Sequence, residues 1–147
     1  AIMIYSPWQF LFWYDRPPKS SANKGAVPGS DGFIQNHPEL DFFKQMPTVW
    51  DETKVVEGEI GEFATLARKS GNDWFLGSLT GEKGKSIELK LDFLEESTNY
   101  KATIYSFDPK SNSLTKVKIE SEIVNSDQII NYKIVENSGL AIHFVKM

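Results

Sequence analysis

The chain has 147 residues, enough for one domain with a real core, and 40 % of them are apolar. Its formal net charge is −4, with lysines scattered among acids, which argues against nucleic acid and anionic membrane as partners because both need a clustered basic face. It has no cysteine, so a disulfide framework and a thiolate nucleophile or ligand are excluded.

Ala1–Tyr14 is the first element. Ser6-Pro7 suits a helix start, and Trp8, Phe10, Leu11, Phe12, Trp13 and Tyr14 follow with Gln9 as the polar exception. A helix apolar on nearly every side needs burial on nearly every side. Trp8, Phe12 and Trp13 are therefore expected to pack against a neighbouring domain; packing inside this domain's own core is the alternative. The segment lacks the basic leader and small-residue cleavage site of a signal peptide, and with Ala1 in first place it reads as a trimmed edge. No run of about eighteen apolar residues exists, so no membrane-spanning helix is expected.

Asp15–His37 is rich in Pro, Gly, Ser and Asn and predicts a long loop or boundary. A short helix is predicted over Pro38–Met46, opened by Pro38 and stopped by Pro47. Leu40 and Phe43, with Phe42 beside them, supply its buried face.

From Thr48 the apolar period changes to two. Ile87/Leu89/Leu91, Tyr100/Ala102/Ile104, Thr115/Val117/Ile119, Ile130/Tyr132/Ile134 and Leu140/Ile142/Phe144 each alternate with polar positions, as half-buried strands do. Phe63–Arg68 and Trp74–Thr80 are apolar on both faces and predict central strands. Turn signals stand at Glu57-Gly58, Ser70–Asp73, Gly81–Gly84, Asp108–Asn112 and Asn137–Gly139. Together they predict a mainly β fold: an antiparallel, Greek-key-type β-sandwich of about eight strands, preceded by one or two short helices. The boundary is placed between residues 1–47 and 48–147.

Candidate chemistry is sparse. His37 lies in a loop and His143 on what reads as the polar side of the last strand, so nothing pairs them at metal-ligand spacing. No nucleophile elbow, phosphate loop or calcium loop is present. Asp51 and Glu52 beside Trp50 resemble a glycosidase dyad, but adjacent residues of an extended chain point to opposite faces, whereas that acid and base must face each other across one bond. Their expected role is structural, binding backbone amides or an arginine such as Arg68. Trp50, Trp74, Phe75 and Tyr105 are candidates for stacking on sugar rings; burial in the core is the competing and preferred expectation.

An ordered series of motifs carries a family resemblance. It runs through Tyr5-Ser6-Pro7-Trp8-Gln9, Pro38-Glu39-Leu40-Asp41-Phe42-Phe43 and Met46-Pro47-Thr48-Val49-Trp50-Asp51-Glu52-Thr53-Lys54-Val55, then Gly58, Gly61 and Glu62. It continues through Ala67-Arg68-Lys69-Ser70-Gly71, Asp73-Trp74-Phe75, Gly77-Ser78-Leu79-Thr80, Leu91-Asp92-Phe93-Leu94 and Tyr100-Lys101-Ala102-Thr103-Ile104-Tyr105. In order and spacing the chain resembles the C-terminal region of glycoside hydrolase family 97, bacterial α-glycosidases; the last forty residues match as strands only. The loop Pro17–Asn36 is longer than the family pattern. The resemblance implies an enzyme of three parts: an N-terminal β-sandwich, a (β/α)8 barrel and a C-terminal β-sandwich. It places the catalytic carboxyl groups and a calcium site in the first two parts.

By that resemblance residues 1–14 end the barrel and 48–147 form the C-terminal sandwich. No catalytic residue, metal ligand or cofactor is then expected in this chain. Its implied role is to pack on and stabilise the catalytic barrel, with self-association as a further contact, in a periplasmic or secreted protein. A carbohydrate-binding module, stacking Trp50 or Trp74 on an α-glucan, is the alternative. An independent hydrolase using Asp51 or Glu52 ranks below both.

Overall fold

The computed structural model describes residues 1–6, 37–113 and 115–147. The predicted first helix and long loop, with Trp8, Phe12 and Trp13, lie outside the described residues.

The described elements are one helix, α1 (Leu40–Gln45), and eight strands: β1 (Glu52–Glu59), β2 (Phe63–Ser70), β3 (Asp73–Thr80), β4 (Lys85–Lys90), β5 (Tyr100–Phe107), β6 (Val117–Val124), β7 (Ile129–Ile134) and β8 (Gly139–Lys146). Six strands form one antiparallel sheet in the order β1-β2-β3-β8-β5-β6; β4 and β7 form a second, two-stranded sheet. β1 to β3 is a meander of tight turns. The chain then crosses to the small sheet and returns twice, and β8 inserts between β3 and β5 to close the large sheet. The sandwich expected from the alternating pattern is the fold observed.

The two sheets close on one core. Trp74 and Leu76 of β3, Ala102 and Ile104 of β5, and Leu140, Ile142 and Phe144 of β8 face Ile87 and Leu89 of β4 and Ile134 of β7. Leu91, Phe93 and Leu94, after β4, seal one end. The cross-strand partners Thr65 and Ser78 share a hydrogen bond of 2.8 Å inside this core, so neither hydroxyl is left unpaired.

Several local expectations change. Glu57-Gly58 is not a turn: it lies within β1, where the register shifts between Val55 and Glu57. The chain reverses after Glu59 instead, where Gly61 takes a φ of +82°, a backbone state that costs glycine little. Trp50 and Asp51 precede β1 rather than lying in it. The predicted strand at Thr115 starts at Val117 and runs to Val124, and Val117 and Ile119 face away from the main core. In α1 the buried residue is Phe42; Leu40 is half-buried and Phe43 exposed. The helix is under two turns long, so one side chain suffices to seat it.

His143 is a further correction, being buried at 5 % exposure. The reason is that the large sheet is covered on its second face too. Ile2, Phe42 and Phe75 form a smaller core there, with Met46, Trp50, Tyr105 and Ala141 packed against it. β8 is therefore buried on both faces, although its sequence alternates like a half-wet strand.

Candidate functional site

The second, outer face of the six-stranded sheet gathers the residues that the sandwich itself does not need. Register places Arg68, Phe75, His143 and Thr103 in one row across β2, β3, β8 and β5, with Gly77, Ala141 and Tyr105 in the next. Residues 1–6 and α1 lie over these rows.

Gly77 permits the close approach of the N-terminal segment. A Cβ there would sit 3.0 Å from Ile2 Cβ and 3.1 Å from Met3 Sδ, so those side chains would have to give by a few tenths of an ångström. Arg68, itself 5 % exposed, holds the segment from the other side. Its Nη1 donates to the carbonyls of Ile2 (3.1 Å) and Ile4 (3.2 Å), and its Nε donates to Thr53 Oγ1 (3.1 Å). The guanidinium also lies 4.5 Å from the Tyr5 ring centre and 4.8 Å from that of Trp50. Two π faces and two carbonyl dipoles thus replace water around a buried cation.

Of the two partners expected for Asp51 and Glu52, a backbone amide is the one that forms, and Arg68 pairs with neither acid. Asp51 Oδ2 accepts from the Gly71 amide at 2.7 Å and holds the β2–β3 turn. Glu52 lies 3.5 Å from Lys54 at the surface. Each carboxylate is engaged locally, and the two do not converge on a common point where a glycosidic bond could sit.

The other aromatic candidates also have structural neighbours. Trp74 is 3 % exposed, packed against Phe93 in the main core, and offers no face to a sugar. Trp50 is half-buried, with its ring edge-to-face on Phe75 and Arg68 over its face. Phe75 stacks on His143 with centroids 4.2 Å apart, and His143 Nε2 lies 3.0 Å from Asp73 Oδ2. Tyr105 packs on Phe42, and burial, followed by the charge of Asp41, raises its phenol above the usual value.

Between the N-terminal segment, α1 and the sheet lies an apolar groove of about 400 Å³, bordered by Ile4, Phe43, Leu79 and Phe107 among others. These four apolar side chains are exposed around it. Glu39, 7 % exposed, lines the same groove, and its Oε1 has no hydrogen-bond partner among the described residues. Among the described residues no group of three or more His, Asp or Glu side chains could hold a metal ion, and no helix is long and apolar enough to cross a membrane. An apolar face with one unmet buried carboxylate is suited to receiving another protein surface, not to cleaving a bond. Sequence reasoning did not anticipate this face, because Arg68, Tyr5 and the backbone of Ile2 are joined only by folding.

Comparison with known proteins agrees with this geometry. The family described as "Glycosyl-hydrolase 97 C-terminal, oligomerisation" matches residues 49–145. A retaining α-galactosidase of Bacteroides thetaiotaomicron is 29 % identical over 102 residues, which are 69 % of this chain and 15 % of that protein. A probable retaining α-galactosidase of Streptomyces bingchenggensis is 40 % identical over 50 residues, 34 % of this chain and 8 % of that protein. The structure of a glycoside hydrolase family 97 enzyme from Pseudoalteromonas sp. strain K8, in complex with acarbose, superposes with a TM-score of 0.69 at 30 % identity, covering 74 % of this chain and 18 % of that one. A β-arabinopyranosidase structure superposes with a TM-score of 0.60 at 27 % identity, covering 74 % of this chain and 17 % of that one. The chain thus spans less than a fifth of each relative.

Proposed function

We propose, for a chain that belongs to the glycosyl-hydrolase 97 C-terminal family, that the outer face of its six-stranded sheet docks on the catalytic barrel of an α-glycosidase and steadies it. The domain itself is the non-catalytic C-terminal part of a glycoside hydrolase, of a family described by oligomerisation. The observation that carries the docking reading is the groove between the N-terminal segment and the sheet, apolar at its rim and lined by Glu39, whose buried Oε1 has no hydrogen-bond partner among the described residues. Burying Ile4, Phe43, Leu79 and Phe107 is favourable at about 25 cal/mol per Å² of apolar surface, and a basic side chain of the barrel would meet Glu39.

An α-glycosidase activity for the parent is supported by the α-galactosidases among the relatives, and the sugar is not part of the proposal. A periplasmic or secreted location and a calcium ion in the catalytic part belong to the same reading and are supported by the family resemblance alone. No step of chemistry is assigned to this chain.

Hydroxyl-radical footprinting tests the docking reading. Phe43, Leu79 and Phe107 should be oxidised readily in the 147-residue chain and be protected in a polypeptide that also carries the barrel. Equal oxidation in both would mean that the barrel sits elsewhere.

A further inference from the structure

The same sheet has a second feature at its far edge. β6 is the terminal strand beside β5, eight residues long, and its register with β5 is unbroken from Val117 to Val124. The opposite edge strand, β1, is interrupted by its register shift, a common way of blunting an edge against pairing with another chain. β6 has no such shift, and its edge is blunted by charge alone, which an oppositely charged partner strand would meet. Its outer-face residues Ile119 and Ile123 are 38 % and 60 % exposed, and its other face carries Lys118, Glu120 and Glu122.

We propose that β6 is the self-association surface of this domain, pairing antiparallel with β6 of a second copy to join two six-stranded sheets into one. This rests on the family's assignment to oligomerisation and adds the surface and its register. An isologous pair about a two-fold axis normal to the sheet keeps outer faces together, so the axis passes midway between one residue of β6 and the same residue of its copy.

Charge and the length of strand paired select which residue. With the axis at Ser121, Glu120 of each copy opposes Glu122 of the other, two like-charge contacts on one face. With the axis at Glu120, each Lys118 opposes Glu122 of the other copy and each Val117 opposes Ile123. The axial Glu120 then opposes its own copy, one like-charge contact, with Lys118 of the same chain 2.8 Å away to moderate it. An axis at Ile119 also gives two attractive charge pairs, Lys118 with Glu120, but pairs only residues 117–121. The axis at Glu120 pairs residues 117–123, with two attractive charge pairs and two apolar pairs against one like-charge contact, so this register is the one assigned.

Sedimentation equilibrium of the 147-residue chain over a concentration series tests the assignment. The native chain should self-associate. Lys118→Glu and Glu122→Lys should each weaken the dimer by about 10-fold or more, because each turns two opposed pairs into like charges. The double variant K118E/E122K restores the complementarity and should return to within about 3-fold of the native affinity. Ile123→Lys should also weaken the dimer, with far-ultraviolet circular dichroism verifying that each variant is folded. A native chain that stays monomeric overturns both the oligomerisation reading and the edge. A native dimer indifferent to both single charge reversals overturns the edge alone.

Discussion

The guanidinium of Arg68 lies 4.8 Å from the centre of the Trp50 ring while its Nη1 donates to the carbonyl of Ile2, 66 residues earlier in the chain. One side chain therefore ties the N-terminal segment, the residue before β1 and the middle of β2. Arg68→Ala removes the cation and strands the buried carbonyl of Ile2, while the carbonyl of the exposed Ile4 can turn to water. The expected loss is about 1–3 kcal/mol, the cost of one buried acceptor left unpaired. Arg68→Lys should recover less than half of it, because an ammonium cannot span two carbonyls and a hydroxyl while stacking on a ring. Urea unfolding followed by tryptophan fluorescence measures both variants; full rescue by Lys would show that charge alone matters here.

Trp74 makes the opposite case, a candidate sugar platform whose ring is enclosed. Trp74→Ala should cost about 3–5 kcal/mol, as removal of a large buried aromatic does. Adding malto-oligosaccharide to a Trp8→Phe/Trp13→Phe chain, in which Trp50 and Trp74 are the tryptophans left, should leave its tryptophan emission unchanged, because Trp74 is covered and Arg68 lies over the Trp50 ring. A saturable shift in emission would favour carbohydrate binding instead.

These two residues mark how far the sequence could be read. The alternation of Leu140, Ile142 and Phe144 predicted a strand with one buried face, and those residues do line the main core. The same alternation misplaced His143, since period two reports one face and cannot say that a second layer covers the other. The acids beside Trp50 failed as a dyad on strand geometry alone, but their partners, the Gly71 amide and Lys54, depend on a turn and a surface that only the fold defines. Gly58 read as a turn because glycine serves both turns and bulges; what separates the two is the position of Gly61, three residues later. The outer face drew no signal because its parts come from six strands, α1 and the N-terminus.

Alkaline pH should weaken the fold through Tyr132. Burial, then the charges of Glu122 and Glu120, pushes its phenol up to about 12 from an ordinary 10.0. The folded state therefore holds this proton more tightly than the unfolded chain. The contribution is fully present below pH 10 and is lost as pH rises through the folded value near 12. Tyr105, raised in the same direction, adds to the loss. Tyr132→Phe should flatten part of the fall in urea midpoint across this window. A slope unchanged in the variant would assign the alkaline loss to other groups.

Seating of the N-terminal segment can be tested apart from the sandwich at Gly77. Valine suits a strand, and at this position its side chain points to the outer face, away from the main core. Its Cβ would meet Ile2 Cβ at 3.0 Å, so Ile2 and Met3 must move. Overpacking of this kind costs about 1–3 kcal/mol when it falls within a core. Here the strain can be relieved by lifting the segment, so the cost is limited to what the segment itself contributes, about 1–3 kcal/mol, and the sandwich should still unfold cooperatively. Residues 1–4 should become accessible to an aminopeptidase, and the four-residue offset is readable by mass spectrometry. Gly77→Ala should release them less completely. If Gly77→Val leaves the segment as resistant as before, the close approach at Gly77 does not anchor it, and Arg68 alone accounts for its position.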